Sequence, residues 1–145
     1  MNEKSGAVFS IAEDNEPVKF CTVSKLVYDS QDFGINYFSM AENTDISAES
    51  YIYHKIILQE RGELVIYDYP GNTWTLHERE CFITPVNIPV RMKTQTGSIY
   101  TEIRLREGVM MNQALQDGKI FTLADLVPYQ SGRIVNMALL LTLED

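Results

Sequence analysis

The sequence predicts an all-β fold, either a sandwich or a barrel of short antiparallel strands. Between residues 46 and 105, short runs rich in β-branched and aromatic side chains are separated by turn residues. Gly62 can adopt a positive φ at a tight turn, and Pro70 followed by Gly71 is typical of a type II turn. Two later runs, residues 90–94 and 99–105, alternate apolar and polar side chains. Strands interrupted this regularly are typical of sandwiches and barrels.

The predicted strands follow one another closely along the chain. They are residues 7–11, 18–28, 33–40, 51–58, 63–67, 73–77, 81–84, 90–94 and 99–105, with residues 41–45 and 59–62 assigned to loops. Residues 85–89 interrupt the series, because neither Pro85 nor Pro89 can donate a backbone hydrogen bond to a ladder. Along residues 99–105, Ile99, Ile103 and Leu105 share one face, and Glu102 and Arg104 share the other.

Composition excludes several classes of protein. The chain has 145 residues and a net charge of −8, and its Lys and Arg residues do not cluster, so we expect no nucleic-acid binding. Cys21 and Cys81 are too few for a disulfide scaffold and are expected to be buried thiols. The first residues lack the apolar core of a signal peptide, and no segment approaches the ~20 apolar residues of a membrane span. We therefore expect a cytoplasmic protein.

A partial internal repeat suggests a second unit. Residues 119–125 repeat the pattern of residues 7–13, although chance similarity of two short apolar segments is the alternative. The predicted organisation is a barrel with N-terminal strands over residues 1–108. A linker and the start of an incomplete second repeat would then occupy residues 109–145. Residues 109–116 are compatible with a short helix. Residues 134–143 are strongly apolar, so we expect them to pair with the barrel or with a second chain in a homodimer.

Several segments together resemble the conserved barrel of the small cupins. They are residues 46–49, 56–58, 61–63, 74–76 and 81–89. The best landmarks are Gly62 with Glu63 and the Pro-Val-Asn-Ile-Pro loop at residues 85–89. The resemblance covers residues 35–105 and implies a double-stranded β-helix, a jelly-roll barrel of two antiparallel sheets. Residues 120–125 similarly resemble the segment that leads into the second barrel of two-barrel cupins.

The resemblance also implies a metal site, which this sequence does not complete. Cupins of this type commonly bind a divalent metal through two histidines and a glutamate before the glycine and a histidine after the proline loop. Counting back from Gly62 places the first three positions at Ser47, Glu49 and His54, and the fourth falls on Val90. A facial site needs about three N or O donors. Glu49 and His54 are therefore only weak metal candidates, and no cofactor is expected. A divalent metal is the alternative if His77 or another donor joins them.

The same region supplies candidates for a ligand pocket at the barrel mouth. They are Glu49, Tyr51, His54, Tyr67, Val90 and Met92. A histidine within an apolar strand is also a common hydrogen-bonded core residue, and tyrosines also stabilise cross-strand pairs. No pair of a nucleophile and a base stands out, so no catalytic residue is predicted.

Three functions remain open at this point. The first is a non-catalytic barrel that binds a small polar ligand. The second is a metal-dependent enzyme of the isomerase or dioxygenase type, built on Glu49 and His54. The third is a dimerisation module that uses the apolar segment at residues 134–143.

Overall fold

The computed structural model describes residues 2–105 and the backbone of residues 120–122. Within these residues one short helix, α1 (Ile11–Asp14), precedes ten strands. The strands are β1 (Thr22–Asp29), β2 (Phe33–Met40), β3 (Thr44–Glu49), β4 (His54–Gly62), β5 (Leu64–Asp68), β6 (Thr73–Leu76), β7 (Glu80–Ile83), β8 (Val90–Thr94), β9 (Ser98–Leu105) and β10 (Ile120–Thr122).

The strands form two sheets whose pairings are all antiparallel. One sheet has six strands in the order β1-β2-β9-β4-β7-β10, and the other has four in the order β3-β8-β5-β6. The predicted all-β fold of two antiparallel sheets is therefore confirmed. β2 pairs with β9 along its whole length, from Phe33 opposite Leu105 to Met40 opposite Ser98.

Both faces of the central strands of the six-stranded sheet, β2, β9, β4 and β7, are largely buried. Its inner face packs against the four-stranded sheet in a core that includes Ile57, Phe82 and Tyr100 from the first sheet and Ile66 and Met92 from the second. Its outer face carries a second cluster, made by the following residues: Phe33, Ile35, Tyr37, Ile56, Leu58, Cys81, Ile83, Ile103 and Leu105, with Phe9, Ile11 and Val27 packed against them. Successive side chains in a strand point to opposite faces, so neighbours such as Ile56 and Ile57 belong to different clusters.

This double burial changes the assignment of the polar residues of β9. The alternation of apolar and polar residues in residues 99–105 predicts one buried face and one polar, exposed face. Instead Glu102 is only 5% exposed, because the face that it shares with Tyr100 points into the barrel. A charged residue on an inner face requires a partner or a function, since isolated buried charges are costly.

Two predicted turns are present, one of them in a shorter form. β4 extends to Gly62, so the turn predicted at residues 59–62 contracts to the junction of Gly62 and Glu63. Gly62 has φ +79°, and a Cβ at this position would overlap the carbonyl oxygen of Gly97. The turn at Gly71 is confirmed, with φ +102°, and the Asp68 carboxylate accepts hydrogen bonds from the backbone N–H groups of Gly71 (3.0 Å) and Asn72 (2.7 Å).

The N-terminal strand prediction is wrong. Residues 7–10 form no strand, and α1 begins at Ile11. Ser10 caps this helix, since its Oγ accepts a hydrogen bond from the backbone N–H of Glu13 at 3.2 Å. Several other boundaries also shift: β1 begins at Thr22, β4 begins at His54, and the ends of β5, β6, β7 and β9 move by one residue. Residues 44–49, which are not among the predicted strands, form β3.

The C-terminal predictions fall mostly outside the described residues. These are the helix at residues 109–116 and the apolar segment at residues 134–143. The backbone of β10 pairs with β7, with Ile120 opposite Phe82 and Thr122 opposite Glu80. This strand belongs to the segment that resembles residues 7–13, so the two similar segments have different backbones where both are described. No helix within the described residues is long and apolar enough to cross a membrane.

Candidate ligand-binding cavity

A cavity of about 290 Å³ opens at one end of the barrel, between the two sheets. Its apolar wall includes Phe38, Val90 and Met92. Polar, charged and tyrosine residues supply most of the remaining lining: Asn36, Ser47, Glu49, Tyr51, Tyr53, Lys55, Thr84, Tyr100, Glu102 and Arg104. A concave site with an apolar wall and a few converging polar groups is the usual form of a small-molecule site.

Lys55 is the buried cation of the cavity. Its Nζ lies 3.0 Å from Oε1 of Glu102, and the two side chains are only 9% and 7% exposed. The same Nζ lies 3.4 Å from the ring centre of Tyr51, which places the ammonium against an aromatic face. Thr84 fixes the backbone of Lys55, because its Oγ1 accepts from the Lys55 N–H at 3.0 Å and its own N–H donates to the Lys55 carbonyl at 2.9 Å. The ammonium is therefore held in place by both sheet and loop.

Tyrosines and carboxylates line the rest of the charged side. The hydroxyl of Tyr51 donates a hydrogen bond to the Glu49 carboxylate, and the Tyr51 and Tyr53 rings lie 5.4 Å apart. Tyr100 is buried and stacks on Phe38, with ring centres 4.9 Å apart and planes 4° from parallel. Burial raises the pKa of Tyr100 well above its ordinary value, and the nearby carboxylates add to this effect. Tyr100 thus remains a neutral phenol at physiological pH.

Arg104 is the second cation that lines the cavity. It lies opposite Lys55 in the pairing of β4 with β9, and its Nη2 is 3.7 Å from the Asp29 carboxylate. Its Nε is buried and has no hydrogen-bond partner among the described residues, and the same holds for Oδ1 of Asn36. The guanidinium lies over the backbone of Gly34, the residue opposite Arg104 on β2.

The structure brings four of the six predicted pocket residues together. Glu49, Tyr51, Val90 and Met92 line the cavity, and Ser47 joins them. His54 does not line it: its Nδ1 is 2.8 Å from the Thr84 carbonyl oxygen, and it lies on the same face of β4 as Ile56 and Leu58 of the outer cluster. Tyr67 lies in a separate groove beside Tyr69, Pro89 and Arg91.

Sequence reasoning did not single out the cation pair or the buried carboxylate as site residues. Lys55 is the only Lys, Arg, Asp or Glu residue in the apolar run at residues 51–58, and a charge within a buried strand marks a candidate site. That signal could have identified Lys55. The inward direction of Glu102 and Arg104 could not be predicted, because it depends on which face of β9 meets the second sheet.

The cavity residues do not fit a metal ion. No group of three or more His, Cys, Asp and Glu side chains that could hold a metal occurs within residues 2–105. Of the two weak candidates, Glu49 lines the cavity and His54 does not, so they do not converge there. His77 lies at the surface between Glu63 and Glu80, 3.0 Å from each carboxylate. Val90, at the fourth expected position, has no donor atom in its side chain. Lys55, the neighbour of His54 in the chain, cannot ligate a cation as an ammonium.

Solved structures with the same architecture identify the fold. A conserved protein of unknown function from Streptococcus pyogenes is 17% identical, with a TM-score of 0.67 over 73% of this chain and 92% of that one. A cupin superfamily protein from Desulfitobacterium hafniense is 20% identical, with a TM-score of 0.68 over 74% and 97%. The chain has the cupin fold.

A third similar structure is a cupin 2 conserved barrel domain protein from Leptotrichia buccalis. It is 17% identical, with a TM-score of 0.61, and the match covers 75% of this chain and 47% of that one. The resemblance to cupins is thus confirmed at the level of the fold. Comparison with models of protein families gives no match, and comparison with curated protein sequences gives none either.

Proposed function

We propose that this cupin-fold barrel binds a small polar molecule in its cavity without a metal ion. The observation that carries the proposal is the Lys55 ammonium, which the Glu102 carboxylate and the Tyr51 ring hold inside the cavity. The apolar wall can cover a carbon skeleton, and the fixed polar groups can orient its substituents. This is the function of a binding barrel rather than of a catalyst.

The arrangement of donors supports binding without metal. Ser47, Glu49 and Val90, which the resemblance placed at metal-ligand positions, line the same cavity as Lys55. The buried ammonium already pairs with the Glu102 carboxylate at 3.0 Å, so a divalent cation would have to compete with Lys55 for that carboxylate. The positive charge that a metal would supply is therefore already present as part of the protein.

Metal analysis of the full chain, purified without a metal-binding tag, tests the absence of a metal. We expect far less than one equivalent of iron, manganese, nickel or zinc, including after incubation with each ion. A stoichiometric metal that Glu49→Gln removes would instead support the metal-dependent enzyme of the isomerase or dioxygenase type.

Thermal unfolding with a panel of small polyols, amides and organic acids tests the cavity. We expect at least one compound to raise the melting temperature of the wild type and of the control Arg91→Gln, which changes the separate groove. The effect should weaken in Tyr51→Phe, which loses the hydroxyl that donates to Glu49. A panel without any stabilising compound, or a compound equally effective on all variants, would contradict the proposal.

We also propose that two copies of the chain pair along β1. Among the described strands β1 is an edge of the six-stranded sheet, and Val23 and Leu26 are 42% and 50% exposed. Antiparallel pairing of such a strand with its own copy satisfies backbone groups that have no partner strand among the described residues, and it covers such side chains. Sedimentation equilibrium should show a dimer that Leu26→Lys dissociates, and a monomeric wild type at micromolar concentration would refute this.

A further inference from the structure

We infer that the ligand is a small organic acid whose carboxylate binds to Arg104 and Lys55. The inference rests on the proposed binding function and names the class of molecule. It comes from three features of the cavity: two cations opposite each other, a guanidinium with unused donor capacity, and a glycine that makes room for it.

The first feature is the pair of like charges. Lys55 and Arg104 are directly opposite in the register of β4 and β9, and both line the cavity. Like charges in opposite positions of neighbouring strands destabilise a sheet, and burial increases that cost. Glu102 neutralises Lys55 at 3.0 Å, whereas Arg104 is 3.7 Å from Asp29, whose side chain is 45% exposed. Among the described residues the cost is thus only partly offset, and a bound anion would complete the compensation.

The second feature is the donor capacity of Arg104. A guanidinium carries five N–H donors in a planar fork that matches the two oxygens of a carboxylate. In this protein Nε has no hydrogen-bond partner among the described residues, and the distance to Asp29 is too long for a hydrogen bond. Nε itself is buried, but the side chain as a whole is 23% exposed and lines the cavity, so a ligand can approach the guanidinium there.

The third feature is Gly34, which makes room for the guanidinium. A Cβ at this position would come within 2.5 Å of Nη2 and 3.0 Å of Cζ of Arg104. The φ angle of Gly34 is not in the left-handed region, so its backbone does not require glycine. What glycine provides here is space, and it allows Arg104 to lie across β2 beside the cavity.

The apolar part of the lining favours an organic acid over inorganic phosphate. Glu49 and Glu102 also line the cavity and balance the two cations, so the charges do not select a dianion. Phe38, Val90 and Met92 offer an apolar wall for the carbon skeleton of the acid. The cavity of about 290 Å³ limits that skeleton to a small molecule.

Isothermal titration of the full chain with small hydroxy- and keto-carboxylates, their primary amides and inorganic phosphate tests the inference. We expect at least one acid to bind and its amide to bind much more weakly. Arg104→Gln should weaken the binding of that acid by about 10- to 100-fold, the range expected for a lost hydrogen bond to a charged group. Arg104→Lys keeps the positive charge but loses the planar fork of N–H donors, so its affinity for the acid should lie between those of the wild type and Arg104→Gln.

Gly34→Ala tests the geometry while it keeps Arg104. We expect Gly34→Ala to weaken the binding of the acid, because the new methyl group displaces the guanidinium. The surface control Arg91→Gln should bind the acid as tightly as the wild type does. Circular dichroism and thermal unfolding should show that Arg104→Gln, Arg104→Lys and Gly34→Ala remain folded at the temperature of the titration.

The possible results separate this inference from the proposed function. Equal binding of acids and amides, or binding of neutral polyols or phosphate without any acid, would overturn the inference and leave a ligand-binding barrel. Failure of every compound would overturn both. An acid that binds Arg104→Gln and Gly34→Ala as tightly as the wild type would show that Arg104 is not the anchor.

Discussion

Replacement of Lys55 by methionine should destabilise the protein strongly, because it leaves the Glu102 carboxylate buried without its cation. The two side chains are 9% and 7% exposed and 3.0 Å apart, which makes this a buried pair rather than a surface pair. Removal of one partner of a buried pair costs about 3–5 kcal/mol. Lys55→Met combined with Glu102→Leu removes both charges, so the double variant should recover most of that loss.

Urea unfolding at neutral pH, followed by fluorescence of the single tryptophan, measures these differences. Trp74 packs on Phe82 in the inner core, with ring centres 4.8 Å apart, so its emission reports on the barrel. The matched control is Arg91→Met, which breaks the ion pair with Asp45 between side chains that are 52% and 54% exposed. We expect that control to lose no more than about 1 kcal/mol.

Two results would refute this reasoning. A loss below about 1 kcal/mol for Lys55→Met would mean that the pair behaves like a surface pair. A double variant as unstable as the single one would mean that Lys55 acts through the packing of its methylene groups and not through its charge. Either result would mean that the ion pair with Glu102 does not fix the Lys55 ammonium in the cavity.

Two further predictions concern the backbone at the glycine turns and the titration of Glu60. Gly62→Ala should lower the stability of the fold by more than the ~1–3 kcal/mol of a strained φ, because its Cβ overlaps Gly97. In Gly71→Ala the Cβ meets open space, so thermal unfolding should show a smaller loss of stability. Burial raises the pKa of Glu60, and the hydrogen bond from Thr101 offsets part of that shift. The folded-state pKa therefore exceeds the unfolded one, and stability falls as pH rises through it. Glu60→Gln should gain stability over the wild type between pH 4 and pH 7, and an unchanged difference would contradict this.

Strands bounded by clear turn signals could be predicted from the sequence to the residue. β2 and β8 coincide with the predicted residues 33–40 and 90–94, because polar or proline-containing segments precede both. Residues 7–11 have a similar apolar composition, yet Ser10 and Glu13 form a helix cap there. A short apolar run cannot by itself separate a strand from a capped turn.

The buried charges could not be assigned from alternation alone. In a sheet with one solvated face, alternation separates buried from exposed residues. Here both faces of the central strands of the six-stranded sheet are buried, and β9 is buried at seven of its eight residues. The polar positions of such a strand are then candidate site residues, and Glu102 and Arg104 are two of them.

β4 has a local irregularity between the turn at Gly62 and the neighbouring residues His54 and Lys55. The pairing of β4 with β9 steps from Gln59 opposite Tyr100 to Arg61 opposite Ile99, so one residue of β4 has no partner. A bulge of this kind reverses the alternation beyond it, so alternation counted from Gly62 alone does not give the faces of His54 and Lys55. Lys55 and Ile57 therefore point into the barrel, whereas His54 and Ile56 point outward. The histidine that suggested a metal site thus lies outside the cavity, and the neighbouring residue places a fixed cation within it.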